Sequence, residues 1–232
     1  LIIGQKVSRI GNKSFDIESA VFVEGDSGPV CVSLITSVAI DFKLNKKNIL
    51  VTFHPVTLED STAESQFQEL LNAINDLKET NIIFTKANSD TDGRIINSMI
   101  DEYVNKNGNK SICFASLGQI RYLSALQYVD AMVGNSSSGL IETPSFKIGT
   151  INIGNRQKGR IMAKSVINCG SSKEAIKVAL EKLYSEDFKS ILKNVENPYG
   201  DGCASKNILD VIKNIDLEGI VQKSFYDVEV PL

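Results

Sequence analysis

The sequence predicts a doubly wound α/β domain built on a parallel sheet, and three observations carry that prediction. From about residue 49 onward, short apolar runs rich in strand formers alternate with segments whose apolar residues recur at helical spacing. The runs are short and mainly apolar, as expected of strands in a parallel sheet covered on both faces. The unusual polar residues then follow the carboxyl ends of those runs, the edge at which such sheets bind ligands.

Ile49-Leu50-Val51-Thr52-Phe53 reads as the first strand of the alternation. Phe67, Leu70, Leu71, Ile74 and Leu77 follow at helical spacing behind an N-cap at Ser61 or Thr62. Ile82-Ile83-Phe84 is the second strand, and Ile96, Met99, Ile100 and Tyr103 mark the next helix. Ile112-Cys113-Phe114 is the third strand, followed by a helix through Ile120, Leu123 and Leu126. Ala131-Met132-Val133 is the fourth, Gly149–Ile153 the fifth and Val166-Ile167 the sixth. Helices then dominate, over about 172–184, 186–194 and 204–214. Right-handed crossovers make this a Rossmann-like domain over residues 45–232. Residues 1–44 do not join the pattern. Ala20–Val23 and Val30–Ile35 resemble strands about a Gly25-Asp26-Ser27-Gly28-Pro29 turn, so the segment reads as a hairpin or as an irregular lead-in without an assigned role.

Composition bounds the function. The chain has 232 residues, 42% of them hydrophobic and 23% charged, with a net charge of −3 from 25 basic and 28 acidic residues. That balance points away from nucleic acid and from an anionic membrane as partners. No apolar run reaches the length of a membrane span, and the first residues lack the features of a signal peptide. The four cysteines, Cys31, Cys113, Cys169 and Cys203, form no C-x-x-C pair, and there is a single histidine. These numbers argue against a zinc site and for reduced thiols in a cytoplasmic protein. Cys113 and Cys169 fall in predicted strands, as small core residues.

The chemistry gathers after the strands. The fourth strand runs into Gly134-Asn135-Ser136-Ser137-Ser138-Gly139, with Glu142 at the opening turn of the expected helix. Taken alone, the cluster reads either as an N-capped loop or as a phosphate cradle. Its glycines would allow close approach to a ligand, and its hydroxyls and free N–H groups would hold phosphate. His54 follows the first strand directly and is either structural or a donor to a phosphate or sugar hydroxyl. Arg156, Lys158 and Arg160 after the fifth strand suit a pyrophosphate, or form a solvated basic loop. Asn88–Gly93 has part of the composition of a calcium loop but lacks its terminal Glu, so no metal and no cofactor is expected.

Taken together, several stretches resemble one family. They are Val51–Leu58 with His54-Pro55-Val56-Thr57, the Asn88 loop, Gly134–Gly139 with Glu142, Ile151–Arg160, Asn197–Gly202 and the tail Gln222–Phe225. Over about residues 42–230 they resemble hydrolysing UDP-N-acetylglucosamine 2-epimerases of the sialic-acid pathway type. The resemblance implies a GT-B architecture with this chain as its C-terminal, UDP-binding half. It implies Ser116 and Leu117 at the uracil, Glu142 at the ribose, Ser136 and Ser137 at the phosphates, and His54, Asn88 and Arg156 completing the pocket, with His54 as the catalytic candidate. The implied reaction eliminates UDP to a glycal and hydrates it to N-acetylmannosamine. The substrate would be UDP-N-acetylglucosamine or a UDP-linked diacetamido trideoxy sugar. Residues 1–41 do not resemble the family's N-terminal domain, which supplies its main carboxylates, so catalysis by this chain alone is not expected. A GT-B glycosyltransferase and a non-catalytic nucleotide-sugar-binding module remain as alternatives. The oligomeric state stays open, a homo-oligomer included.

Overall fold

The computed structural model describes residues 2–10, 15–25, 28–38, 42, 44–56, 62–88, 91–200, 202 and 204–219. The alternative cap Ser61, the loop residues Thr57, Ser89 and Asp90, the turn residues Asp26 and Ser27, Cys203 and the tail Gln222–Phe225 lie outside them.

Three strands come first, β1 (Ile2–Ile10), β2 (Phe15–Gly25) and β3 (Gly28–Val38), and pair antiparallel in that order. The runs read as strands at 20–23 and 30–35 fall within β2 and β3. Then come β4 (Lys47–Thr52), α1 (Ala63–Asn75), β5 (Thr80–Thr85), α2 (Thr91–Lys106), β6 (Ser111–Phe114), α3 (Gly118–Ala125) and β7 (Ala131–Gly134). A four-residue turn of helix, α4 (Ser138–Ile141), leads through a 3₁₀ turn over Thr143–Phe146 to β8 (Gly149–Ile153) and β9 (Val166–Cys169), followed by α5 (Lys173–Leu183) and α6 (Glu186–Lys193). A separate unit begins at Tyr199 and contains α7 (Ala204–Asn214).

The six later strands form one parallel sheet in the order β6-β5-β4-β7-β8-β9. The doubly wound α/β expectation therefore holds. β4 is the hinge of the order: its neighbours are β5 on one side and β7 on the other. The chain leaves the sheet centre in one direction and later returns to build the other half. In such sheets a crevice opens beyond the carboxyl ends of the two central strands.

Both faces of the sheet are covered, and the Ile49–Val51 run of β4, with Phe53 after it, shows why apolar residues follow one another there. Ile49, Val51 and Phe53 point into a core formed with α1, α2 and α5, including Phe67, Leu70, Ile96, Ile100, Ile176 and Leu180. Leu50 points the other way, with Ile83, Leu117, Leu126 and Val129. These four residues, Phe53 standing just beyond β4, are at most 1% exposed, each stabilising the fold by about 1.5–3 kcal/mol. Two of the helices begin at ordinary end signals, whereas Thr62, at the N-cap of α1, makes no side-chain cap bond. Ser172 and Ser185 accept from Ala175 N and Phe188 N and cap α5 and α6.

Candidate functional site

The crevice at the sheet centre depends on how closely β7 approaches β4. Gly134 adopts φ +142°, and a Cβ there would lie 1.9 Å from the carbonyl oxygen of Thr52. Only glycine fits. Gly139 is tight as well, because its Cβ would meet the side-chain atoms Thr150 Cγ2 at 2.6 Å and Met132 Sδ at 2.8 Å. The two glycines of the serine turn therefore let β7 pack on β4 and α4 on β8, a packing role the sequence did not reveal.

Asn135, the residue after β7, ties the crevice together. It is 1% exposed. Its Oδ1 accepts from His54 N at 2.7 Å, and its Nδ2 donates to His54 O at 2.8 Å. Its own N–H donates to Thr52 O at 3.2 Å. Its carbonyl accepts from Arg156 Nη1 at 3.0 Å and from Gln157 Nε2 at 2.7 Å. One buried amide thus joins the exits of β4, β7 and β8, which explains why His54 and Arg156, 102 positions apart in numbering, converge.

Beside this junction lies a cleft of about 660 Å³. Six of the eight residues expected from the sequence line it: Asn88, Ser116, Leu117, Ser136, Ser137 and Glu142. They arrive from the exits of β5, β6 and β7 respectively, the last three from one turn. His54 and Arg156 stand outside that lining and meet at Asn135 instead. Ser116 Oγ accepts from Gly118 N at 3.1 Å, which shapes the entry into α3. Lys86 adds a cation to the cleft, its Nζ paired with the Asp101 carboxylate at 2.7 Å.

The side chains of the basic loop after β8 lie in different places. Arg156 turns to Asn135, whereas Lys158 and Arg160 line a second cleft of about 700 Å³ with Asn152, Asn168 and Gly170. Burial, then the like charge of Arg160, lowers the Arg156 pKa. A guanidinium remains charged under such a shift, so Arg156 stays a cation at neutral pH.

Glu142 also sits differently from the expectation. It is the C-cap of α4 rather than part of an opening helical turn. The helix ends there because Pro144 has no N–H to donate and Thr143 turns its hydroxyl to Gly139 O at 2.6 Å. A single turn carries little dipole, so the anion-holding capacity of this edge rests on the serine hydroxyls and nearby cations. The Glu142 carboxylate bonds Ser138 Oγ, which in turn meets the Tyr122 hydroxyl from α3. Sequence reading missed Asn135, Ser138 and Tyr122 as working residues. Ser138 and Glu142 are four apart on one helical face, a spacing that signals contact. Nothing local marks Tyr122, whose partners lie 16 and 20 positions away.

Comparison with known proteins gives a consistent picture. A family model described as UDP-N-acetylglucosamine 2-epimerase matches residues 5–213, reaching further toward the N-terminus than the motifs do. Campylobacter jejuni GDP/UDP-N,N'-diacetylbacillosamine 2-epimerase (hydrolyzing) is 41% identical over 190 residues, covering 82% of this chain and 49% of the relative. The Escherichia coli polysialic acid biosynthesis protein P7 is 39% identical over 190 residues, with coverages of 80% and 47%. The chain thus spans about half the length of the curated relatives it matches. Among solved structures, Staphylococcus aureus MnaA with UDP aligns at a TM-score of 0.56 and 20% identity, over 72% of this chain and 44% of that one. Neisseria meningitidis UDP-GlcNAc 2-epimerase bound to UDP-GlcNAc aligns at 0.53 and 18%, over 73% and 45%. At these identities the structural likeness speaks for the fold.

Proposed function

This chain belongs to the UDP-N-acetylglucosamine 2-epimerase family, and on that premise we propose that it supplies the UDP-binding half of a hydrolysing 2-epimerase acting on a UDP-linked 2-acetamido sugar. The observation that carries the reading is the convergence of Asn88, Ser116, Leu117, Ser136, Ser137 and Glu142 on one cleft at the carboxyl edge of the sheet. In this reading Ser116 and Leu117 border the uracil and Asn88 closes that end. Glu142 accepts hydrogen bonds from the ribose hydroxyls. The hydroxyls of Ser136 and Ser137 donate to the diphosphate. Arg156, held at Asn135, supplies positive charge beside it, and charge-assisted bonds of this type are stronger than neutral ones. His54 stands at the crevice exit as the acid/base or donor group nearest the sugar. UDP is the leaving group of an elimination, so stabilising its developing charge lowers the barrier to departure.

The substrate reading begins with UDP-N-acetylglucosamine and N-acetylmannosamine as product, toward sialic acid, and the name of the E. coli relative supports it. The name of the C. jejuni relative favours a second reading, a UDP-linked diacetamido trideoxy sugar. Both use the same nucleotide site. Calorimetric titration with UDP tests that site. The variant carrying Ser136→Ala and Ser137→Ala should bind UDP roughly 1–3 kcal/mol more weakly than the wild type, the scale of hydrogen bonds to a charged group. Equal affinity in the two proteins would remove the serine turn from the assignment.

A further inference from the structure

The three residues Tyr122, Ser138 and Glu142 form a continuous hydrogen-bonded chain that crosses from α3 to the end of α4, and all three line the nucleotide cleft. We propose that Tyr122 is a positioning residue: through Ser138 it fixes the Glu142 carboxylate in the orientation that receives the ribose hydroxyls. The proposal rests on the reading of Glu142 as the ribose acceptor given above.

The direction of the chain follows from proton bookkeeping. A serine hydroxyl carries one proton, and an ionised carboxylate only accepts. With Ser138 bonded to both neighbours, its proton goes to Glu142 Oε2, and the Tyr122 hydroxyl donates to Ser138 Oγ. Burial, above all, pushes the Tyr122 phenol well above its ordinary pKa, and the nearby Glu142 charge acts in the same direction, so it keeps its proton across neutral pH. The donor at the head of the chain is therefore constant. Such chains polarise their members and strengthen one another. They also remove rotational freedom from Glu142, which has three side-chain torsions to lose on binding. One carboxylate oxygen is occupied by Ser138, which leaves the other directed to ligand. Tyr122 itself is anchored by α3, whose Leu117, Ala125 and Leu126 neighbours are buried against the sheet. The orientation of Glu142 is thereby referred to the sheet rather than to the short helix that carries it.

The test measures Kd for UDP and for 2′,3′-dideoxy-UDP with the full 232-residue chain, the ratio of the dideoxy-UDP Kd to the UDP Kd reporting what the ribose hydroxyls contribute. Four proteins are compared: wild type, Tyr122→Phe, Glu142→Gln and the double variant. Tyr122→Phe keeps the ring and removes only the hydroxyl. It should weaken UDP about threefold to tenfold while leaving 2′,3′-dideoxy-UDP unchanged, so the ratio falls. Glu142→Gln should lower the ratio further, and adding Tyr122→Phe to it should change nothing more. If Glu142→Gln lowers the ratio and Tyr122→Phe does not, or if Tyr122→Phe weakens both ligands equally, the positioning role is wrong while the ribose reading stands. If Glu142→Gln leaves the ratio unchanged, the ribose reading fails and takes the proposal with it. Ser138→Ala breaks the same chain at its middle and must reproduce the Tyr122→Phe pattern, a second route should the phenylalanine variant fold poorly.

Discussion

Replacing Asn135 by alanine is the most informative single perturbation of this architecture. The side chain is 1% exposed and makes two short bonds to the main chain of His54, at 2.7 and 2.8 Å. Truncation removes both partners at once and leaves a donor and an acceptor unpaired where β4 leaves the sheet. An unsatisfied buried group costs about 1–3 kcal/mol, so two cost about 2–6. His54 is half-buried, and water recovers part of that loss, which brings the expected destabilisation to about 2–4 kcal/mol. The Asn135 carbonyl is unaffected and continues to hold Arg156 and Gln157. The effect should therefore be local to the β4 exit. Urea unfolding of wild type and Asn135→Ala reads it directly, with the midpoint lowered by roughly 1–2 M at an unchanged slope of about 2 kcal/mol per M. Asn88→Ala, an exposed loop position, serves as the reference and should stay within about 0.5 kcal/mol. A midpoint for Asn135→Ala indistinguishable from that reference would refute the claim that this amide joins the strand exits.

Three further expectations follow from the same geometry. Gly134→Ala places a Cβ 1.9 Å from a main-chain oxygen that cannot move without parting β4 from β7, so circular dichroism should show no cooperative native transition. Asp76 receives Lys173 at 3.1 Å and Lys177 at 3.5 Å, and its hydrogen bond and charge interaction with Lys173 hold its pKa below the ordinary value. A folded pKa below the unfolded one adds stability above the unfolded value and loses it as pH falls through the folded one. Asp76→Asn should thus melt slightly below wild type at neutral pH. The gap should close as pH drops past the ordinary aspartate range near about 3.9, and a gap that widens in acid would contradict the assignment. Finally, the 232-residue chain should bind UDP yet release none from UDP-N-acetylglucosamine, because exclusion of water from such a site needs a second wall to close. UDP release that disappears on His54→Ala would overturn this.

The sheet was legible because burial on both faces leaves a signature that needs no tertiary information. Ile49–Thr52 lies in β4, with Phe53 just beyond its end, and Gly149–Ile153 is β8, and the apolar residues of both runs are buried in the parallel sheet. The clustering of Ser116, Ser136 and Glu142 was legible because sequence order and the winding rule together place strand exits on one edge. What stayed hidden depends on distances between remote residues. The roles of Gly134 and Gly139 are decided by Thr52 and Thr150, which no local pattern connects to them. Arg156 reads as part of a basic run, but the buried Asn135 carbonyl draws it away from Lys158 and Arg160. The end of α4 was hidden as well: Pro144 and the Thr143 hydroxyl stop the helix after one turn, which puts Glu142 at its end rather than in its opening turn.

The cleft between the exits of β6 and β7 is the proposed seat of UDP, and a crystal structure of the chain grown with UDP decides it. The uracil should lie against Ser116 and Leu117, the ribose hydroxyls within hydrogen-bond distance of Glu142, and the diphosphate on Ser136 and Ser137 with Arg156 nearby. UDP bound instead in the second cleft, beside Lys158 and Arg160, with the first one empty, would contradict it.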